Sequence, residues 1–416
     1  MNTHLLDGIK VTALKYPPSL PLLWAFLPPA DNDAARLHKL HYRLIWRSLG
    51  PLRKAEMLVL LLLWPFFLGR LIRKFVKRNG QMVKARTGKG AFRQVLEQVI
   101  LAARFGFRPQ AYYVMEFFLP ERFAEAGLYI HRFAVKDSLY RRLKPRTFSP
   151  LTDKVGFATF CLEHGLPVSA MELSLDKGAI AGGSGKLPAA DLFIKRTKGR
   201  GGTRAELWHF KDGAYHARDG KTLGHDALLA HLIDLSHQEP YLVQRRLINH
   251  PDIADLSPGA LATVRLITLL NEKGEYEAVR AVFRMGKSEA SIVDNFHSGG
   301  IAAAVDLETG KLGRATDFGL APSIGWIDRH PATGAAITGR QLPLWPDVIA
   351  LGTRAHAAFS DRIIVGWDIA ITASGLMIVE GNAAPDVDNI QRPHASPLGP
   401  TRYGALMRWH LIDKAG

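Results

Sequence analysis

Two acidic residues near the C-terminus stand where the pattern around them sets them face to face. Residues 363–386 read IIVGWDIAITASGLMIVEGNAAPD, two apolar runs flanking Ala373-Ser374-Gly375. As a hairpin with those three residues as its turn, the segment opposes Thr372 to Leu376, Ala370 to Ile378 and Asp368 to Glu380. Directly opposed Cβ atoms lie about 4.5–5.5 Å apart. Two carboxylates that close repel unless one is protonated or a cation lies between them. Asn382, two residues past Glu380, points to the same side. Asp368, Glu380 and Asn382 then form a hard oxygen set suited to Mg²⁺ that also holds phosphate. The plainer alternative is an exposed hairpin with solvated acids, which the apolar flanks disfavour. The pairing depends on turn length: a two-residue turn would put Asp368 opposite Gly381.

A second stretch, Ile194-Lys195-Arg196-Thr197-Lys198-Gly199-Arg200-Gly201-Gly202-Thr203-Arg204, joins a lysine that closes an apolar strand to a basic, glycine-rich loop. Such loops let backbone N–H groups approach an anion, and arginine can fork onto phosphate. The GxxxxGK[ST] spacing of a Walker loop is missing here and at Gly182–Lys186. The loop is either a phosphate cradle or a solvated hairpin tip. Arg265 in ALATVRLITLL and Arg284 in AVRAVFRMG lie on apolar strands, where a half-buried arginine must be paired. They are either structural ion-pair partners or a clamp on a transferring phosphoryl group. Asn295 opens a polar, glycine-rich loop that either closes over a site or simply connects.

The elements that position these residues follow from periodicity. Thr152-Asp153 caps a helix through Glu163. Strands are expected at 192–195, 205–210 and 241–247. A hairpin joins 262–270 to 276–284 around Asn271-Glu272-Lys273-Gly274, and a helix spans 345–359. Hairpins interleaved with single helices predict an α+β protein with antiparallel sheets. Residues from Ala34 to about Arg108 read as helical, with Ala91–Arg104 a good amphipathic helix.

The chain has 416 residues, with 47% hydrophobic and 22% charged side chains, which excludes a disordered protein. Cys161 is the sole cysteine, so no intrachain disulfide or cysteine metal site exists. This fits a reducing compartment, with Cys161 as a small buried apolar residue. The net charge is +16, and residues 1–110 hold 19 Lys and Arg against 5 Asp and Glu. Such a basic arm implies an anionic surface, nucleic acid or membrane. Within it, Met57–Leu68 is uncharged and apolar, with Arg53 and Lys54 before it and Arg70, Arg73, Lys74, Lys77 and Arg78 after it. Twelve residues cannot cross a hydrocarbon core, which needs about 20. Cations on both sides suit a segment (53–78 with its flanks) that dips into one leaflet, while a buried core helix remains the alternative. The run begins too far from the N-terminus for a secretory signal. No aromatic-basic stacking motif supports nucleic acid.

In this order, these pieces over roughly Ser149–Gln391 resemble the ATP-grasp superfamily, and within it the sugar-transfer-associated group similar to glutamate ligases. The resemblance implies an ATP-grasp fold of two α+β lobes with ATP between them. It implies an N-lobe at 149–247 and a C-lobe at 248–416; the N-terminal domain at 1–148 departs from the family's usual small α/β domain, being helical, basic and apolar. It makes Lys154 and Lys195 the nucleotide lysines and Gly199, Gly201 and Gly202 the phosphate loop. Gln244, Arg245 and Leu247 fall at the adenine hinge, though the usual ribose-binding acid is replaced there. Arg265 and Arg284 face the γ-phosphate and the acyl-phosphate, and Asp368, Glu380 and Asn382 match the magnesium ligands. The implied activity is an ADP-forming carboxylate–amine ligase using ATP and Mg²⁺. Its expected substrate is a cell-envelope saccharide or lipid-linked precursor, and its expected place the cytoplasm, peripheral on the inner membrane face. The competing readings are a kinase acting on a hydroxyl and a basic nucleic-acid-binding protein.

Overall fold

The computed structural model describes residues 23, 26, 30–143, 149–197 and 205–414. The chain divides into two compact units. One holds residues 1–144, 318–325 and 386–416, and the other holds 145–317 and 326–385.

The first unit is helical. Helix α1, Asp33–Ser48, starts at Asn32, whose side chain accepts from the Ala35 N–H at 2.9 Å. Helix α2, Pro51–Leu62, and helix α3, Trp64–Thr87, meet at a 59° bend. Pro65 explains that break, since it lacks an N–H and clashes with the preceding turn. Helix α3 ends at Gly88, at φ 73°, with Lys84 and Arg86 in its last turn. Helix α4 runs Ala91–Phe105. The core of this unit is aromatic: Tyr112, Tyr113, Phe117, Phe118 and Tyr129 pack with Val83 and Leu101. Buried Glu116 is neutralised by Arg86 at 2.7 Å and by Arg392 at 3.2 Å, the latter brought in by the C-terminal segment.

The second unit contains two seven-stranded sheets. After helix α5, Lys154–Glu163, the first is built from β1 (Met171–Asp176), β2 (Ala179–Gly183), β3 (Leu192–Arg196), β4 (Glu206–Lys211), β5 (Ala214–Ala217), β6 (Thr222–Leu223) and, after helix α6 (His225–Ser236), β7 (Tyr241–Arg245). Its order is β2-β1-β7-β3-β4-β5-β6. One face, with Leu173, Ile194, Trp208 and Val243, packs on Leu228 and Leu232 of α6. The residues that alternate with these, Phe193 and Lys195 on β3 and Leu242 and Gln244 on β7, therefore share the other face.

The second sheet uses β8 (Thr263–Leu270), β9 (Tyr276–Met285), β10 (Ile301–Val305), β11 (Leu312–Thr316) and β12 (Trp326–Ile327). Helix α7 (Trp345–Ala358) follows, then β13 (Ile364–Thr372) and β14 (Gly375–Asn382). Its order is β12-β11-β10-β9-β8-β13-β14, and every paired strand in both sheets is antiparallel. The α+β expectation is met. Helix α7 covers β8, β9 and β13. Trp367 is fully buried on that side, edge-on to Phe359, with its indole N–H donating to Thr268 at 2.9 Å. The chain passes between the two sheets twice, at 167–168 and 248–250. Both passages bond the β13–β14 hairpin, through Ile378 N–H to the Pro167 carbonyl and His250 N–H to the Ile371 carbonyl.

Candidate active site

The hairpin differs from its expected form and still delivers the expected pair. The strands close as Thr372 opposite Gly375, a two-residue turn at Ala373-Ser374, so Ala370 faces Met377 and not Ile378. A register shift between Asp368 and Ile369 then moves the pairing by one residue and leaves Val379 over. This bulge restores Asp368 opposite Glu380 and Gly366 opposite Asn382. The turn was misread because Gly375, taken as a turn residue, begins the strand. Gly381, between the two site positions, faces the helix side. A Cβ there would come within 2.4 Å of Leu151 and 3.0 Å of Trp367, so the packing beneath the site requires glycine.

Pairing extends the row across the sheet. Asp368 faces Arg265 on β8, and Arg265 faces Val282 on β9, with Arg284 two residues further along the same face. Asp368 is buried and receives Arg265 through Nε on Oδ1 and through Nη2 on Oδ2 at 3.0 Å, with Arg284 Nη2 on Oδ2 at 2.8 Å. Burial alone would raise the Asp368 carboxyl; the two guanidinium charges more than offset it and hold the pKa below the usual value. Glu380, unlike Asp368, is exposed to solvent. It makes no hydrogen bond or ion pair among the described residues. Desolvation first, then the Asp368 charge, raises its pKa, against the pull of Arg265, Lys154 and Lys195.

The sequence reading passed over two neighbours. Thr263 receives Arg284 at 2.6 Å and donates its hydroxyl to buried Asp294, which also lies 3.3 Å from Arg284. Burial raises the Asp294 carboxyl, with Arg284 opposing. Arg280 lies on the same face of β9, and its buried Nε has no partner among the described residues. Both Arg280 and Asp294 belong to the same motifs as residues that were singled out, and only side-chain geometry separates them. Asn295, by contrast, caps a short 3₁₀ turn by accepting from His297 N–H at 3.0 Å.

Two lysines from the first sheet's side complete the electrostatics. Asp153 caps α5 through Val155 and Gly156 N–H groups, which sets Lys154 at its first turn. Lys154 Nζ donates to the Arg196 carbonyl at 2.7 Å. Its pKa is lowered by desolvation, with Glu380 opposing. Lys195 is lowered to about 8, first by desolvation and then by Lys154, again with Glu380 opposing. No hydrogen bond or ion pair engages the Lys195 ammonium among the described residues.

On the same face, Gln244 donates to the Ser169 carbonyl at 3.0 Å. Arg245 is exposed and paired with Glu172 at 2.8 Å, and Leu247 is half-buried just beyond β7. Gly199, Gly201 and Gly202 lie outside the described residues.

The donor set fits a hard divalent cation. Glu380 offers both oxygens, and Asp368 keeps one lone-pair position on Oδ1. The Asn382 amide nitrogen is buried without a partner among the described residues, and it is the amide oxygen that a cation would take.

The model of a family described as sugar-transfer associated ATP-grasp matches residues 134–401, more than half of the chain. No curated protein matches it. Among solved structures, D-alanine–D-alanine ligase from Bacillus anthracis aligns at 11% identity and TM-score 0.34, covering 64% of this chain and 66% of that one. The same ligase complexed with ATP aligns at 8% and TM-score 0.31, covering 64% of each. N5-carboxyaminoimidazole ribonucleotide synthetase from Thermotoga maritima aligns at 14% and TM-score 0.30, covering 65% and 57%. The chain thus spans 57–66% of the length of these solved structures.

Proposed function

The chain belongs to the sugar-transfer associated ATP-grasp family, and we propose on that basis that it is an ADP-forming carboxylate–amine ligase dependent on ATP and Mg²⁺. The fold is that of ATP-binding, ligase-type enzymes. The family's association with sugar transfer supports a cell-envelope saccharide or lipid-linked precursor as the substrate.

The observation that carries this reading is the Asp368–Glu380 pair. One acid is held ionised by two arginines; the other is unpartnered, raised in pKa and within electrostatic reach of two lysines. Glu380, Asn382 and the remaining Asp368 lone pair would hold the metal, which when bound neutralises charge on the β- and γ-phosphates. Lys154 and Lys195 take phosphate oxygens, with Gly199, Gly201 and Gly202 folding over them. Gln244, Arg245 and Leu247 flank the base. The substrate carboxylate oxygen attacks the γ-phosphorus and ADP leaves; the amine then attacks the acyl carbon, phosphate leaves, and the amine proton passes to solvent. Arg265 and Arg284 stabilise charge on the transferring group. Their guanidinium groups are already oriented by Asp368 and Thr263, so little reorganisation is needed.

Calorimetry of Mg·ATP binding tests the site. Wild type is expected to bind ATP only with Mg²⁺, while Glu380→Gln and Lys195→Ala bind at least about a hundredfold more weakly, since each loses a charge-assisted contact. Equal binding by all three proteins sinks the assignment. A kinase would release ADP with a hydroxyl acceptor alone, whereas the ligase releases ADP and phosphate only when carboxylate and amine are both present.

A further inference from the structure

Helix α4 is assembled opposite to the usual rule for a helix facing water. Its buried side holds Gln94, Glu97 and Gln98, with Leu101 and Ala102 only in the last turns. Gln94 donates to the Gly80 carbonyl at 3.0 Å, and Glu97 accepts from Tyr112 and Lys89, both at 2.7 Å. Its outer side shows Phe92, Val95, Leu96, Val99 and Ile100, with Phe92 83% exposed. That is the i, i+3, i+4, i+7, i+8 spacing of one helix face, turned outward. Helix α2 repeats the theme: none of its residues is buried. At the elbow with α3, Leu62 is 81% and Phe66 73% exposed. A cavity of about 460 Å³ between α3 and α4, lined by Trp64, Ile72, Val95 and Val99, joins the elbow to the α4 stripe. Contiguous apolar surface of this extent marks an interaction site.

The charge around it identifies the partner. Residues 51–104 carry twelve Lys and Arg against two acids. Arg70, Arg73, Lys74 and Lys77 are exposed on α3, and Arg73 and Lys77 line the cavity itself. A second copy docked face to face would set two such cationic surfaces against each other. Nucleic acid would satisfy the cations and leave the apolar stripe in water. An anionic bilayer satisfies both, with headgroups at the cations and acyl chains at the stripe. Among the described residues no single helix is long and apolar enough to cross a membrane, and the bent α2–α3 pair suits entry and return in one leaflet.

We infer that the helical unit docks on an anionic lipid surface through the α2–α3 elbow and the outward face of α4. Flotation of the full chain with vesicles tests it. Wild type binds phosphatidylglycerol–phosphatidylethanolamine vesicles at least about tenfold more tightly than phosphatidylcholine vesicles, and salt weakens the binding. The exposed double variant Phe66→Ser/Phe92→Ser loses at least about tenfold, as does Arg70→Glu/Arg73→Glu/Lys77→Glu, each with unchanged thermal melting by circular dichroism. The inference falls if wild type fails to float, if it shows no preference for anionic lipid, or if both variants float as well as wild type. It falls equally if sizing shows a wild-type dimer that the aromatic variant dissolves, because the face would then be a self-association surface. None of these readouts depends on nucleotide binding, so this inference and the ligase assignment fail separately.

Discussion

The β13–β14 hairpin and helix α4 both invert the usual distribution of polarity, and they do so for different physical reasons. On the hairpin's inner face, charges are buried: Asp368 is surrounded by Arg265 and Arg284, and Asp294 by Thr263 and Arg284. Burying an ion is costly unless it is paired, so the buried part of this face is held together by mutual neutralisation, while Glu380, with no hydrogen bond or ion pair among the described residues, stands exposed beside it. On α4 the buried Gln94 and Glu97 are likewise paired, with the Gly80 carbonyl and with Tyr112 and Lys89, although the Gln98 amide oxygen has no partner among the described residues; the inversion shows on the outside, where apolar side chains meet solvent. We read the first region as a site for charged ligands and the second as a surface for an apolar phase.

If that contrast is right, changes on the two surfaces have very unequal effects on stability. Arg265→Ala should cost about 3–5 kcal/mol by urea denaturation, because it strips the bidentate partner from a buried carboxylate. A cost below about 1 kcal/mol would mean Asp368 is not held as an ion. Gly381→Ala should cost about 1–3 kcal/mol through collision with Leu151 and Trp367, with an unchanged midpoint indicating that the sheet shifts freely. In the folded chain Lys195 titrates at about 8, below its ordinary 10.5. Between those values the unfolded chain holds the proton that the folded chain has lost, so this group makes stability rise with pH over that window. ATP has the opposite dependence: it needs the ammonium, so affinity should fall by up to about tenfold as pH goes from 7 to 9. Proton uptake on binding above pH 8 is measurable by calorimetry in buffers of different ionisation enthalpy, and its absence would separate Lys195 from the phosphates. The smallest effect belongs to the helical unit, where Phe92→Ser should change stability by no more than about 0.5 kcal/mol. A larger loss would show that Phe92 packs against the chain's own residues.

Much of the site could be read in the sequence because it lies on strands, where a period of two fixes which residues share a face. Asp368, Glu380 and Asn382 needed only the apolar flanks and a turn. Arg265 and Arg284 announced themselves as charges inside apolar runs, although their shared attachment to Asp368 could not be read, since pairing between β8 and β13 joins residues 103 apart. Asp294 and Arg280 were missed because one sits in a loop and the other shares its strand and face with Arg284, from which only side-chain geometry separates it. Helix α4 was read correctly as amphipathic, but amphipathicity does not say which face is buried. That was decided when Tyr112 and Lys89 claimed Glu97.

The sequence therefore determined the α+β class, the helical basic arm, the break at Pro65 and the residues of the acid pair, because each rests on local periodicity or backbone chemistry. Three-dimensional packing decided the rest. It placed the bulge at Val379 that keeps Asp368 opposite Glu380 despite a shorter turn. It returned residues 386–416 to the helical unit, where Arg392 meets Glu116. It also chose the outward face of α4. Each of these depends on contacts between residues distant in sequence, and a pattern confined to one segment carries no record of its partner.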